Sequence, residues 1–233
     1  MTHTSLIPLR PRLLAIAEMI PQNSALVLDI GTDHAQLPVY LVQSGIASRA
    51  IASDIAKEPL KRAEETVTKY GLQSRIALHL GDGLQGHEQT KPDAIVIAGM
   101  GGEMIQHILA SAPLVKELQC RLILQPMTRS EVLRAWLGQN GFTIDAEKLV
   151  QDDKLYQIIA CHYTGESCDP TQAQCVIGPC LMQGGDPLLA AHLDRLYEVY
   201  EVRLNGKEKG DCDTSAEREI LSAIQSLRRE LTT

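Results

Sequence analysis

From residue 25 onward the chain alternates between short apolar, β-branched runs and segments with helical spacing. The runs ALVLDIG (25–31), RAIASDI (49–55), RIALHLGD (75–82), DAIVIAGM (93–100) and CRLILQPM (120–127) are nearly continuous in apolar residues. Such runs mark parallel strands buried on both faces. Residues 35–44, 57–70, 102–111 and 129–139 lie between them with helical periodicity. The alternation predicts an α/β fold, a doubly wound sheet with helices on both sides. The pattern changes at the end, where FTIDAEKLV (142–150) and YQIIACHY (156–163) are joined by the polar QDDK. No helix fits between them, so they form a hairpin and the last strand runs antiparallel. The sheet is therefore expected to have seven strands, mostly parallel, unlike the six parallel strands of a nicotinamide-binding domain.

Beyond Tyr163 the composition shifts to TGESCDPTQAQCVIGPCLMQGGDP, a connector rich in Gly, Pro and polar residues. Asp186-Pro187 then reads as an N-cap followed by proline at the first helical position. Leu189, Leu193, Leu196 and Tyr200 make a narrow apolar stripe that NGKEKGDCD (205–213) is expected to break. Thr214 and Glu217 have capping-box spacing before a last stripe of Ile220, Ala223, Ile224, Leu227 and Leu231. The expected organisation is a catalytic-type α/β domain over 1–165, a connector over 166–186 and an antiparallel helical hairpin over 187–233. Whether the hairpin packs on the domain or projects from it is left open by the pattern.

Composition narrows the class. The 233 residues are 44% hydrophobic and 22% charged, as in a soluble globular protein, and no stretch reads as a membrane span. LLAIAEMI, near the N-terminus, is interrupted by Glu18 and lacks a cleavage site, so it reads as an amphipathic helix and the protein as cytoplasmic. Six cysteines without a C-x-x-C pair imply reduced thiols. A zinc site from Cys161, His162, Cys168 and Cys175 matches no common ligand spacing, and no metal is expected. The net charge of −7 argues against nonspecific coating of nucleic acid. Most of the acidity lies in 166–233, which has seven basic and twelve acidic side chains.

In an open parallel sheet ligands bind beyond the C-terminal strand ends. Asp29 and Gly31 end the first strand, Asp54 the second, Asp82-Gly83 the third, AGMGG (98–102) the fourth and QPM (125–127) the fifth. Asp54 has the spacing of an acid that accepts from ribose hydroxyls, about 20 residues after the first strand's glycine. A diphosphate is disfavoured, because DIGTDHA is not G-x-G-x-x-G and Asp33 puts negative charge where phosphates would rest. A nucleoside bearing a cation suits Asp29 and Asp33 better, and S-adenosylmethionine has both a sulfonium and an ammonium group. Gly31 permits close approach of the backbone, and Asp82 can accept from an adenine amino group. AGMGG leaves backbone bare for a flat ring, with Met100, Pro126 or Met127 to sandwich it in a chain that is only 3% aromatic.

DIGTDHAQLP, GDGL, IAGMGG, RLILQP and the late LYQII together resemble the bacterial tRNA (adenine-22-N1)-methyltransferase family, over nearly the whole chain. LRPRLLAIAEMIP is similar to that family's opening helix. The resemblance implies a class I Rossmann-like methyltransferase domain with a coiled-coil-like C-terminal extension, acting on N1 of an adenine in the D-arm region of tRNA. It implies S-adenosylmethionine as cofactor and S-adenosylhomocysteine as product. The expected donor set is Asp29, Gly31, Asp33, His34, Asp54, Ile55, Asp82, Gly83, Gly99 and Met100. The expected acceptor set is Arg10, Arg12, Gly101, Gly102, Pro126, Met127 and Arg129, within a basic rim that also takes in Lys57, Lys61, Arg62 and Arg134. Asp33 is the candidate for stabilising the alkylated ring, with carbonyls of the AGMGG loop as the alternative. A monomer is expected. The alternatives are a methyltransferase with a small-molecule or protein acceptor and a catalytically silent RNA-binding module.

Overall fold

A computed structural model of the chain describes residues 5–231. Seven strands, β1 (Ser24–Ile30), β2 (Ala47–Asp54), β3 (Ile76–Leu80), β4 (Ala94–Met100), β5 (Arg121–Pro126), β6 (Phe142–Gln151) and β7 (Leu155–Tyr163), form one sheet in the order β3-β2-β1-β4-β5-β7-β6. The first five are parallel, and β7 is antiparallel to both β5 and β6, as the hairpin pattern requires. Strand order reverses between β1 and β4, so a crevice opens beyond their C-terminal ends.

The continuous apolar runs arise because neighbouring side chains along a strand point to opposite faces and both faces are covered. Leu28, Ile95, Ile97, Leu122 and Leu124 pack against α4 (Gly102–Ala110), α5 (Leu114–Glu117) and α6 (Ser130–Gln139). Val27, Val96 and Ile123 turn the other way, onto α1 (Pro11–Met19) and α2 (Gln36–Gln43). α3 (Lys57–Lys69) completes that layer through Ala63 and Val67. Among the described residues no helix is long and apolar enough to cross a membrane.

The connector contains more structure than its composition suggests. It holds α7 (Gln172–Ile177), whose Thr171 and Gln174 form a capping box, and a 3₁₀ turn at Leu181–Gln183. α8 (Leu189–Lys209) starts two residues after Pro187, because Asp186 caps a preceding turn by accepting from Leu188 N (2.8 Å) and ties it to β6 through Leu149 N (2.8 Å). It then runs through the NGKEK stretch that was expected to end it. α9 (Ser215–Leu231) lacks the expected Thr214–Glu217 box: Asp213 accepts from Ser215 N (2.9 Å), and the Glu217 carboxylate is drawn instead to Lys207 (2.9 Å). Leu193, Tyr200, Ile220 and Ile224 of the two helices share a cluster with Leu149, Val176 and Ile177, so the hairpin base sits on β6 and α7.

Arg134 is also repositioned relative to the sequence expectation. It is 1% exposed, so it cannot belong to a basic rim. Its guanidinium donates to Glu147 (2.7 Å), Gln157 (2.7 Å) and the Cys175 carbonyl (2.9 Å), which ties α6 to β6, β7 and α7.

Candidate functional site

The loop after β1 is held by two hydrogen bonds from its backbone, Gly31 N and Thr32 N donating to Ser53 O at 2.8 and 2.9 Å. Gly31 has φ +79°, a conformation that favours glycine, and a Cβ there would lie 2.2 Å from the Met100 methyl, which would have to swing aside. Met100 is brought there by a bulge in the β4–β5 ladder between Ala98 and Met100. The bulge leaves Gly99, also at φ +79°, outside the ladder.

A cavity of about 320 Å³ lies between these loops, lined by Asp29, Gly31, Thr32, Asp33, His34 and Gly99 together with Arg10 and Arg12. Asp29 is 7% exposed at the end of β1. Burial pushes its carboxyl from the ordinary 3.8 up to about 6; the hydrogen bond from Thr32 opposes this, the charge of Asp54 adds to it, and Arg12 offsets a part. A carboxyl in that state gains most from a cation placed beside it. Asp33 sits further out: its carboxylate takes Arg62 at 3.0 Å and lies 3.4 Å from His34 Nε2. An exposed ion pair thus links it to α3.

Asp54 accepts from Ala56 N (2.8 Å), which turns Ile55 outward, 68% exposed, on the lip. Asp82 and Gly83 line an adjoining hollow with His107 and Ile108 of α4 rather than the cavity of Asp29. The acids therefore share one sheet edge, as the strand pattern implies, but not one pocket.

The two arginines expected at the rim are both found beside the acids. Both line the cavity of Asp29. Arg12 donates to Gln125 (2.7 Å) and stacks 5.5 Å from the Tyr156 ring, whereas Arg10 stays exposed. Gly101 caps α4, and Gly102 N donates to Thr128 O (2.7 Å), fastening the loop to the end of β5. Pro126, Met127 and Arg129 line another hollow, with Lys154, Tyr156, Gln157 and Arg195. Arg129 is neutralised by Glu131 (3.2 Å) and Glu103 (3.4 Å), so it offers less to an anion than an unpaired cation would.

Gln125 falls in the QPM run expected at this sheet edge, but the sequence assigned it no role. It is fully buried, and its side-chain oxygen accepts from Arg12 (2.7 Å) and from Gly99 N (3.2 Å). Its amide nitrogen donates to Pro126 O (3.0 Å) and reaches Met127 Sδ at 3.6 Å. One side chain thus sets α1, the bulged Gly99 and the end of β5. The available signal was a lone amide in the buried run RLILQP, since a polar group there must be satisfied internally.

S-adenosylmethionine fits the donor set found here. Asp29 can receive a cation, Arg12 can face a carboxylate, and Gly31 and Gly99 contribute backbone to the lining. The lining sets the carboxylates of Asp29 and Asp33 beside the guanidiniums of Arg10 and Arg12, the two signs of charge that a zwitterionic donor needs.

Comparison with known proteins agrees with this geometry. The family described as methyltransferase domain matches residues 9–159. A tRNA (adenine(22)-N(1))-methyltransferase of Bacillus subtilis is 41% identical over 152 residues, 65% of this chain; the matched stretch spans 63% of that relative's length. The crystal structure of the B. subtilis M1A22 tRNA methyltransferase TrmK superimposes with TM-score 0.77 at 30% identity, covering 97% of this chain and 98% of that one. M. capricolum TrmK in complex with S-adenosyl-homocysteine superimposes with TM-score 0.76 at 27% identity, covering 96% and 98%.

Proposed function

The chain belongs to the methyltransferase domain family, and from that premise we propose that it methylates N1 of adenine 22 in tRNA, with S-adenosylmethionine as donor. The observation that carries the reading is Gly99, which lines the acid-walled cavity and is held by Gln125 to the Pro126–Met127 wall beside it. Donor and acceptor sites therefore meet at one backbone position. The kinship with tRNA (adenine(22)-N(1))-methyltransferase and with TrmK supports this acceptor, and a tRNA acceptor is in keeping with action in the cytoplasm.

Bound S-adenosylmethionine supplies a methyl group already activated by its sulfonium centre, so the residues need only bind, orient and balance charge. Asp29 holds the cationic end, Arg12 faces the carboxylate, and Asp54 takes the ribose hydroxyls, with Ile55 and Asp82-Gly83 bordering the adenine. Met100 and Met127 flank the target ring, which must leave its stack to present N1. The ring becomes cationic on alkylation. The Gly99 carbonyl, which the bulge removes from the ladder, is assigned to accept from N6. Residues 1–165 are assigned to methyl transfer, 166–186 to the connection and 187–233 to the hairpin.

The test is incorporation of labelled methyl into transcribed tRNA. The reading requires incorporation into tRNA with adenine 22 and none when guanine replaces it. Methylation of a small molecule or protein but not tRNA, or tight tRNA binding without incorporation, overturns it.

A further inference from the structure

The C-terminal part of the chain is the more acidic, yet the charge on α8 is segregated. At 3.6 residues per turn, His192, Arg195, Leu196, Val199, Tyr200 and Arg203 share one side of the helix, while Asp194, Glu198 and Glu201 fall on the other. The first six line a cavity of about 190 Å³ that faces α6. Ser130, Gln157 and Arg195 line this cavity and also the hollow of about 160 Å³ opening at Pro126 and Met127. The two make one trough leading from the acceptor wall to the hairpin.

Glu131 is the one acid among the described residues that line the trough; Asp153, next to Lys154, accepts from the Tyr156 hydroxyl at 2.7 Å. Glu131, in its wall, pairs with Arg129. Asp194 pairs with Arg228, Glu208 with Arg218 and Glu217 with Lys207, all within the hairpin. Among the described residues, Lys154, Arg195 and Arg203 have no carboxylate within the 4.0 Å of an ion pair. Lys154 is held over the Tyr156 ring at 5.2 Å and Arg203 over Tyr200 at 4.8 Å. The three cations are strung along the trough instead of converging on one point, which suits a chain of phosphates better than a single small anion.

We infer that this trough carries the RNA backbone flanking the target nucleotide, with Lys154 and Arg195 neutralising phosphates beside the acceptor wall and Arg203 continuing the track along α8. The inference rests on tRNA being the acceptor. The acidic side of α8, turned away, repels the backbone and so confines it to one face.

The test uses the full chain with Lys154→Glu and Arg195→Glu, singly and together. Affinity for transcribed tRNA is measured against salt concentration, alongside donor affinity by calorimetry and the melting temperature. The double variant is expected to bind tRNA at least ~10-fold more weakly at about 0.1 M salt, with the slope of log K on log salt shallower by about 1.4–1.8, from about 0.7–0.9 for each of two phosphates lost. Donor affinity and melting temperature stay at the wild-type values. Arg49→Glu with Lys91→Glu, exposed at the opposite edge of the sheet, makes the same change in net charge and is expected to leave tRNA affinity within about 2-fold. Wild-type tRNA affinity and salt slope in the double variant, a loss no larger than that of the control pair, or a parallel loss of donor affinity each overturns the inference while methylation of tRNA by the wild type stands. A wild-type protein that neither binds nor methylates tRNA overturns the acceptor reading, and this inference with it.

Discussion

Asp29 and Gln125 are the two residues on which the site turns, and each has a measurable consequence. A carboxyl whose pKa rises on folding, here from 3.8 to about 6, binds its proton more tightly in the folded state. Its contribution to stability is whole below pH 3.8 and is lost as the pH climbs through 6. Asp29→Asn is therefore expected to be more stable than the wild type at pH 8, by up to about 3 kcal/mol, and no more stable at pH 4, as urea unfolding at the two pH values will show. The same variant loses donor binding, and wild-type donor affinity falls as the pH drops below about 6, because the cation must then displace a proton. Gln125→Leu leaves Gly99 N, Pro126 O and an Arg12 N–H without their partner, costing about 1–3 kcal/mol for each group left unpaired. Its methyl-transfer rate is expected to fall about 10- to 100-fold because the acceptor wall shifts. Gln125→Glu, which keeps an acceptor for Gly99 and Arg12, retains more of that rate.

At the scale of elements, Arg134 fastens the α/β sheet to the segment that bears the hairpin. Its partners come from β6, β7 and α7, and the far oxygen of Glu147 accepts from Cys180 N at 2.9 Å. Arg134→Ala leaves a buried carboxylate without its cation and is expected to destabilise by about 3–5 kcal/mol in urea unfolding. A loss under about 1 kcal/mol would mean that water replaces the pair. The element order was legible from the alternation of apolar runs, because burial on both faces leaves a continuous pattern that period and length identify. The course of α8 through NGKEK was not legible, since the weak helix formers Asn205 and Gly206 are carried by contacts with the facing helix, Leu204 in the shared apolar cluster and the Lys207–Glu217 and Glu208–Arg218 pairs. The misplaced capping box has a similar cause: Lys207 on the facing helix captures Glu217.

At the scale of the whole molecule, a ligand that binds only the folded state raises its stability by mass action. S-adenosylmethionine at 100 times its Kd is expected to add about 2.7 kcal/mol, which for a chain of this size moves the midpoint by roughly 5–10 °C. NAD at the same concentration should leave it unmoved, because the buried Asp29 carboxyl at the cavity wall favours a cation over a diphosphate. A scan of melting temperature with both ligands checks this, and stabilisation by NAD alone would reject the charge argument. The acidic net charge is compatible with the proposed RNA partner, because Arg195 and Arg203 lie on the side of α8 that lines the trough while Asp194, Glu198 and Glu201 fall on the other.

The order of strands and helices, the final hairpin and the row of acids along one edge were all determined by the sequence itself. Each follows from periodicity or from a residue's position at a strand end, which are local properties. Tertiary structure alone decided that Asp82 opens on a hollow apart from Asp29, that Arg12 and Arg134 turn inward, and that Lys154 comes beside Arg195. Those outcomes depend on which distant carboxylate, amide or ring a long side chain meets once the layers pack, and that partner has no signature in the residues around it.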